Sequence, residues 1–184
     1  MFQRQLALLA SFSLLLSACA MNTTTATMDL GPNATAESDI ASIVMAANEG
    51  EVAQGTAAST RATSEEVRSF AQMMVTEHTN AMNAGRDTFS RAGVNPSENN
   101  ISTTLRSNSA QTVTNLATYQ GAAYDRMYVE TQVALHAWLL RSLDTALIPS
   151  ARTPEVRTLL QTQRASVAMH LEHARTLLNR LPRS

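Results

Sequence analysis

Apolar residues recur every three or four positions through most of the chain, a spacing that belongs to helices and not to strands. Ile40, Ile43, Val44, Ala47, Glu51, Gln54 and Ala58 fall on one stripe of a first helix, which Ser38 and Asp39 are placed to cap. Thr63-Ser64-Glu65-Glu66 offers a capping box for a second, with the stripe Val67, Phe70, Ala71, Met74, His78, Ala81, Met82, Gly85 and Phe89. Ala92-Gly93 supplies its stop, and Pro96 lies just beyond. Asn95 to Gln120 reads as a crossover with a short helix near Leu105 to Leu116. A third long helix is expected from about Ala122 to Leu147, stopping before Pro149. Thr153-Pro154-Glu155 begins a fourth: a cap, proline at the first helical position, then an acid at the positive end of the dipole. Its stripe is Val156, Leu159, Leu160, Gln163, Val167, His170, Ala174, Leu177 and Leu178. The expected fold is all-α, a ferritin-like four-helix bundle with a long middle crossover containing a short helix.

The segment before the first helix has a different character. Arg4 is followed by an apolar run from Leu6 to Leu16, and Leu16-Ser17-Ala18-Cys19 has the order of a bacterial lipobox. A basic start, a core too short to span a bilayer and a small-residue cut site read as a lipoprotein signal peptide over residues 1–18. Cys19 is the one cysteine in the chain and stands where lipidation needs a thiol. Residues 19–38, rich in Thr and Ala, read as a tether with a reach of roughly 20–25 Å. Residues 39–184 are long enough for a single core and form the bundle. Ala20 is not the Asp that often retains lipoproteins at the inner membrane. The expected location is therefore the cell envelope, at the periplasmic face of the outer membrane, with the membrane as partner through the lipid anchor.

Composition narrows the chemistry. All 14 basic residues are arginine, which excludes a P-loop lysine, a Schiff-base lysine and a pyridoxal enzyme. With Cys19 lipidated, no thiol is left for catalysis, a disulfide or an iron–sulfur cluster. A formal net charge of -1 carries no basic surplus, so nucleic acid is not an expected partner.

Three of the four histidines, His78, His136 and His170, fall on the inward stripes of three different helices, each near mid-length. Glu51 on the first helix lies at a similar depth, within about one turn of His78. His173 follows His170 by three residues and can share its face. Asp125 is on the face of His136 but roughly 16 Å away along the axis, and Glu77 is rotated about 100° from His78, able to reach inward only at the edge. Two readings fit this constellation. The polar groups form a hydrogen-bonded layer that sets helix register, or they bind one zinc, copper or iron ion.

Ala46-Ala47 with Glu51-Val52 and Gly55, Phe70-Ala71-Gln72-Met73-Met74-Val75 before Glu77-His78, Gly121-Ala122-Ala123-Tyr124-Asp125-Arg126 with Tyr128, and His170-Leu171 with Ala174 occur in that order. Together they resemble the bacterial family catalogued as domain of unknown function 4142, a group of exported or outer-membrane proteins. The resemblance covers about residues 38–180. It implies a ferritin-like bundle in the cell envelope and no established activity, and it aligns the family's first-helix acid with Glu51 and its histidines with His78, His136 and His170. Glu77 stands where the family commonly has Asp, and Leu135 where it often has an acid.

A ferritin di-iron centre needs Glu-x-x-His on two helices. Val75, Val133 and Val167 stand three residues before the three histidines, so no ferroxidase motif is present. The function expected from the sequence is a non-enzymatic stress or interaction module. The alternative is a metal-binding or redox protein with a mononuclear site of Glu51, His78, His136 and His170, and His173 as a candidate fifth group.

Overall fold

The computed structural model describes residues 36–182, so the signal peptide, Cys19 and nearly all of the tether lie outside the described residues. Within them the chain is helical: α1 Glu37–Arg61, α2 Glu65–Arg91, α3 Asn100–Leu116, α4 Gly121–Ser142, a π-helical turn Leu143–Leu147 leading into the short α5 Ile148–Ser150, and α6 Pro154–Arg180. No strand forms among the described residues, and no helix there is long and apolar enough to cross a membrane.

Several helix ends differ from the sequence expectation. α1 begins at Glu37, ahead of the proposed Ser38-Asp39 cap, and Glu37 and Asp39 place negative charge in its first turn. Ser64 precedes α2 without a side-chain cap bond. Its work passes to Asp125 of α4, which accepts from Thr63 N at 2.8 Å, Thr63 Oγ1 at 2.6 Å and Ser64 N at 2.7 Å. Glu37 does the same at the start of α6, accepting from Arg152 N at 2.8 Å, Thr153 N at 2.7 Å and Thr153 Oγ1 at 2.6 Å. The α2 stop is as expected: Gly93 has φ 68, with Val94 N–H bonded to Phe89 O at 2.8 Å and Gly93 N–H to Ser90 O at 3.1 Å.

The crossover helix starts five residues earlier than its apolar pattern indicated. Asn99 and Ser102 form a reciprocal capping box there, in a first turn whose single large apolar residue, Ile101, is a weak hydrophobic signal. The third long helix is not stopped by Pro149. Proline lacks an N–H and clashes with the carbonyl four residues back, and the chain absorbs this by widening the preceding turn.

Long-range bonds give the helix directions. Ser38 O accepts from Ser97 N and Glu37 reaches Arg152, so the start of α1, the end of α2, the start of α3 and the start of α6 share one end. Arg61 reaches Ala117 O, and Asp125 reaches Thr63, at the other. Thus α1 and α6 run one way and α2 and α4 the other. α1 packs on α2, α3 and α4, and α6 packs on α4 and α2. Because α3 covers its outer face, α1 is buried almost all round from Ile40 to Asn48. Small residues permit this approach: a Cβ on Gly50 would meet Ser109 Oγ at 3.0 Å, and one on Gly55 would meet Ala71 O at 3.0 Å.

The apolar interior divides in two. One cluster gathers around Ile43, Phe89, Leu143 and Leu160, the other around Phe70, Met74, Tyr128 and Leu177. Between them lies a buried polar layer of Asn48, Glu51, Gln54, His78, Gln132, His136 and His170.

Candidate metal centre

Each histidine of that layer comes from the inward stripe of its own helix: His78 from α2, His136 from α4, His170 from α6. The three rings form a triangle with centroid separations of 5.7, 5.2 and 5.4 Å. All three are buried, and each can offer a nitrogen so that the three atoms lie within 4.8 Å of one another.

The outer nitrogen of each ring is held by an oxygen. His78 Nδ1 lies 2.8 Å from Asn48 Oδ1, and the Asn48 amide is itself oriented by donating from Nδ2 to Val44 O at 2.8 Å. His136 Nδ1 lies 2.9 Å from the carbonyl of Gln132, one turn earlier in α4. His170 Nε2 lies 2.7 Å from Glu77 Oε2. A carbonyl, an amide oxygen and a carboxylate only accept, so these nitrogens carry the protons. The lone pairs therefore sit on His78 Nε2, His136 Nε2 and His170 Nδ1, and these three atoms have no hydrogen-bond partner.

Protonation does not resolve the confrontation of lone pairs. Burial, helped by the neighbouring imidazoles, pushes His78 well below the usual histidine range. Burial, with the neighbouring His170 acting the same way, takes His136 down to about 4, against an opposing effect of the Gln132 carbonyl. At neutral pH His78 and His136 are uncharged. With the rings neutral, three acceptors facing one another with no protein donor between them are unfavourable unless a cation or a water joins them.

The arrangement is that of a metal site with its outer layer in place. Ligating histidines almost always give their other N–H to a carboxylate or carbonyl, which fixes the tautomer and raises ligand basicity. A metal centred in a triangle with sides of at most 4.8 Å stands no more than about 2.8 Å from each corner. Zinc–imidazole bonds of about 2.0–2.1 Å then need each ring to move inward by at most about 0.7 Å.

Glu51 and His173 do not join this triangle. Glu51 is fully buried, but its Oε1 lies 3.5 Å from His136 Nδ1, the outer nitrogen, so it backs the ring instead of facing its free edge. Burial drives its carboxyl up to about 8, with Gln132 pulling slightly the other way. His173 is exposed, its ring edge-on to Phe70 at 5.0 Å, so it does not chelate with His170. Asp125 stays away from the site, as its depth required, and serves the α1–α2 turn. Three outer residues went unrecognised in the sequence: Asn48, Gln132 and, as a partner of His170, Glu77. Asn48 was visible in principle, as an amide on the inward stripe three residues before Glu51. Gln132 carries the same signal four residues before His136.

Neither a curated protein nor a solved structure matches the chain. Residues 22–177 match the family model described as Domain of unknown function (DUF4142), and the chain belongs to that family.

Proposed function

We propose that the protein binds one transition-metal ion through His78 Nε2, His136 Nε2 and His170 Nδ1. The observation that carries this is the convergence of three buried imidazoles whose outer nitrogens are each anchored and whose inner nitrogens have no protein hydrogen-bond partner. A register layer, the other reading, needs donors set against acceptors, and no protein donor faces the three inner nitrogens. Neutral imidazoles without thiolate or inward carboxylate suit copper(II) and zinc over manganese or magnesium. Three protein ligands leave a fourth position open, as in catalytic and not structural zinc sites. Glu77 would balance part of the ion's charge from behind His170. With this reading go a ferritin-like kinship of the bundle and a place in the cell envelope, held to the outer membrane by a lipid on Cys19.

The test is thermal unfolding of untagged, chelator-stripped protein with and without zinc, copper(II) and iron(II), for the wild type and His78→Leu. At an ion concentration one hundred times Kd, stabilisation is about 2.7 kcal/mol, a Tm rise of about 5–10 °C. The rise should vanish in His78→Leu. No rise with any of the three ions would end the proposal.

A further inference from the structure

A cavity of about 330 Å³ lies against the histidine triangle, and His78 and His170 form part of its wall. Its size is at the lower end of the small-molecule range. The rest of the interior wall is mostly apolar, built from Ile43, Val44, Leu139, Leu143, Leu147 and Leu159, with Asn48 beside His78. Leu143 and Leu147 are the two ends of the π-helical turn, so the backbone irregularity that accommodates Pro149 also shapes this wall. Such turns are frequent at functional sites.

Between α2 and α6 the wall thins. Ala81 and Ala84 line it from α2, and Thr162, Gln163 and Ser166 from α6. Ala81 lies on the inward stripe of α2, yet it is only half-buried, and Gln163 reaches across the gap to its carbonyl at 3.4 Å. Two alanines one turn apart keep this flank narrow. Besides the two histidines, Glu77 is the only ionisable side chain on the wall, and it disfavours anions.

We infer that this cavity is the access route and binding pocket for a small uncharged ligand that coordinates the metal at its open position. The ligand has one lone-pair donor atom and an apolar body that lies against Leu143, Leu147 and Leu159. It enters between α2 and α6. The inference rests on the proposed metal site, and it adds a ligand class to it.

The experiment uses the cobalt(II)-loaded protein, whose visible spectrum reports the coordination sphere, titrated with imidazole, 4-phenylimidazole and imidazole-4-acetate. Burial of the phenyl ring should make 4-phenylimidazole bind roughly tenfold or more tightly than imidazole, and imidazole-4-acetate should bind worse than either. Ala81→Phe should erase the phenyl preference while leaving the affinity for cobalt unchanged. Ala84→Phe, at the more exposed position, provides the same test if Ala81→Phe does not fold. Equal affinity for the two neutral azoles in the wild type, or a preference that survives both substitutions, overturns the inference and leaves the metal site standing. Failure of cobalt to bind at all overturns the metal site and the inference with it.

Discussion

Replacing Glu51 by Gln in the metal-free protein isolates the effect of the carboxyl buried beside His136. Folded Glu51 keeps its proton to about pH 8, whereas an unfolded chain releases it near 4.5. Between those values the folded state binds the extra proton, so stability falls as pH rises, by about 1.4 kcal/mol per pH unit. His78 and His136 act in the opposite sense, because unfolded histidine takes a proton near 6.5 that the folded rings refuse, His136 down to about 4. Through that lower window stability falls as pH drops, and two histidines outweigh one carboxyl. The wild type should therefore be most stable at about pH 6.5 and lose about 2 kcal/mol on going to pH 8, equivalent to about 4–8 °C in Tm. In Glu51→Gln the alkaline decline should disappear, and the acid limb should steepen from about 1.4 to about 2.8 kcal/mol per pH unit. Urea unfolding in EDTA at half-unit steps from pH 5 to 9 measures both limbs. An alkaline decline of the same slope in wild type and variant would refute the assignment of that proton to Glu51.

Glu77→Gln should weaken metal binding by about 10–100-fold, because the His170 N–H loses its carboxylate partner; competition against a chromophoric chelator reads it, and an unchanged Kd would count against Glu77 as a supporting group. Asp125→Ala leaves Thr63 N, Thr63 Oγ1 and Ser64 N without their acceptor and should cost about 2–3 kcal/mol in urea unfolding. Gly55→Ala should destabilise by about 1–3 kcal/mol despite alanine's better helix propensity, since the obstacle is the Ala71 carbonyl, which is backbone and cannot swing aside. A neutral or stabilised Gly55→Ala would show that α1 and α2 can separate cheaply. Cys19→Ser should abolish incorporation of radiolabelled fatty acid and release the domain from membranes; wild-type protein recovered in the soluble periplasmic fraction would contradict the anchor.

The stripes of α2 and α6 could be read from the sequence because large apolar residues at spacings of three and four leave little ambiguity. The three histidines could be matched in depth because helical rise converts residue number into distance. α1 was harder, since alanine and glycine pack on any side and its outer neighbour α3 announces itself weakly. The helix ends escaped for another reason: Asp125 and Glu37 supply caps from helices far away in sequence, where local rules do not reach. Glu51 was correctly placed at the depth of the histidines, but which edge of His136 it meets depends on side-chain rotamers. His173 shares helical spacing with His170, and yet an angular offset of about 60° places it on Phe70, outside the core.

The two distant acid contacts have a mechanical consequence for the centre. α1 and α2 make one hairpin, α4 and α6 another, and each hairpin's turn is gripped by an acid of the other, at opposite ends of the bundle. Sliding one hairpin past the other by a single helical turn, about 5.4 Å, would break both grips together. His78 belongs to the first hairpin, His136 and His170 to the second, so their common level is governed by contacts about 16–26 Å away along the helix axes. Longitudinal play is suppressed, whereas the sideways spacing of α2 and α6 rests on side-chain bonds such as His170 to Glu77 and Gln163 to the Ala81 carbonyl. Metal entry and exit should therefore follow lateral breathing of that one seam, at a rate set by its side chains and insensitive to tension along the bundle.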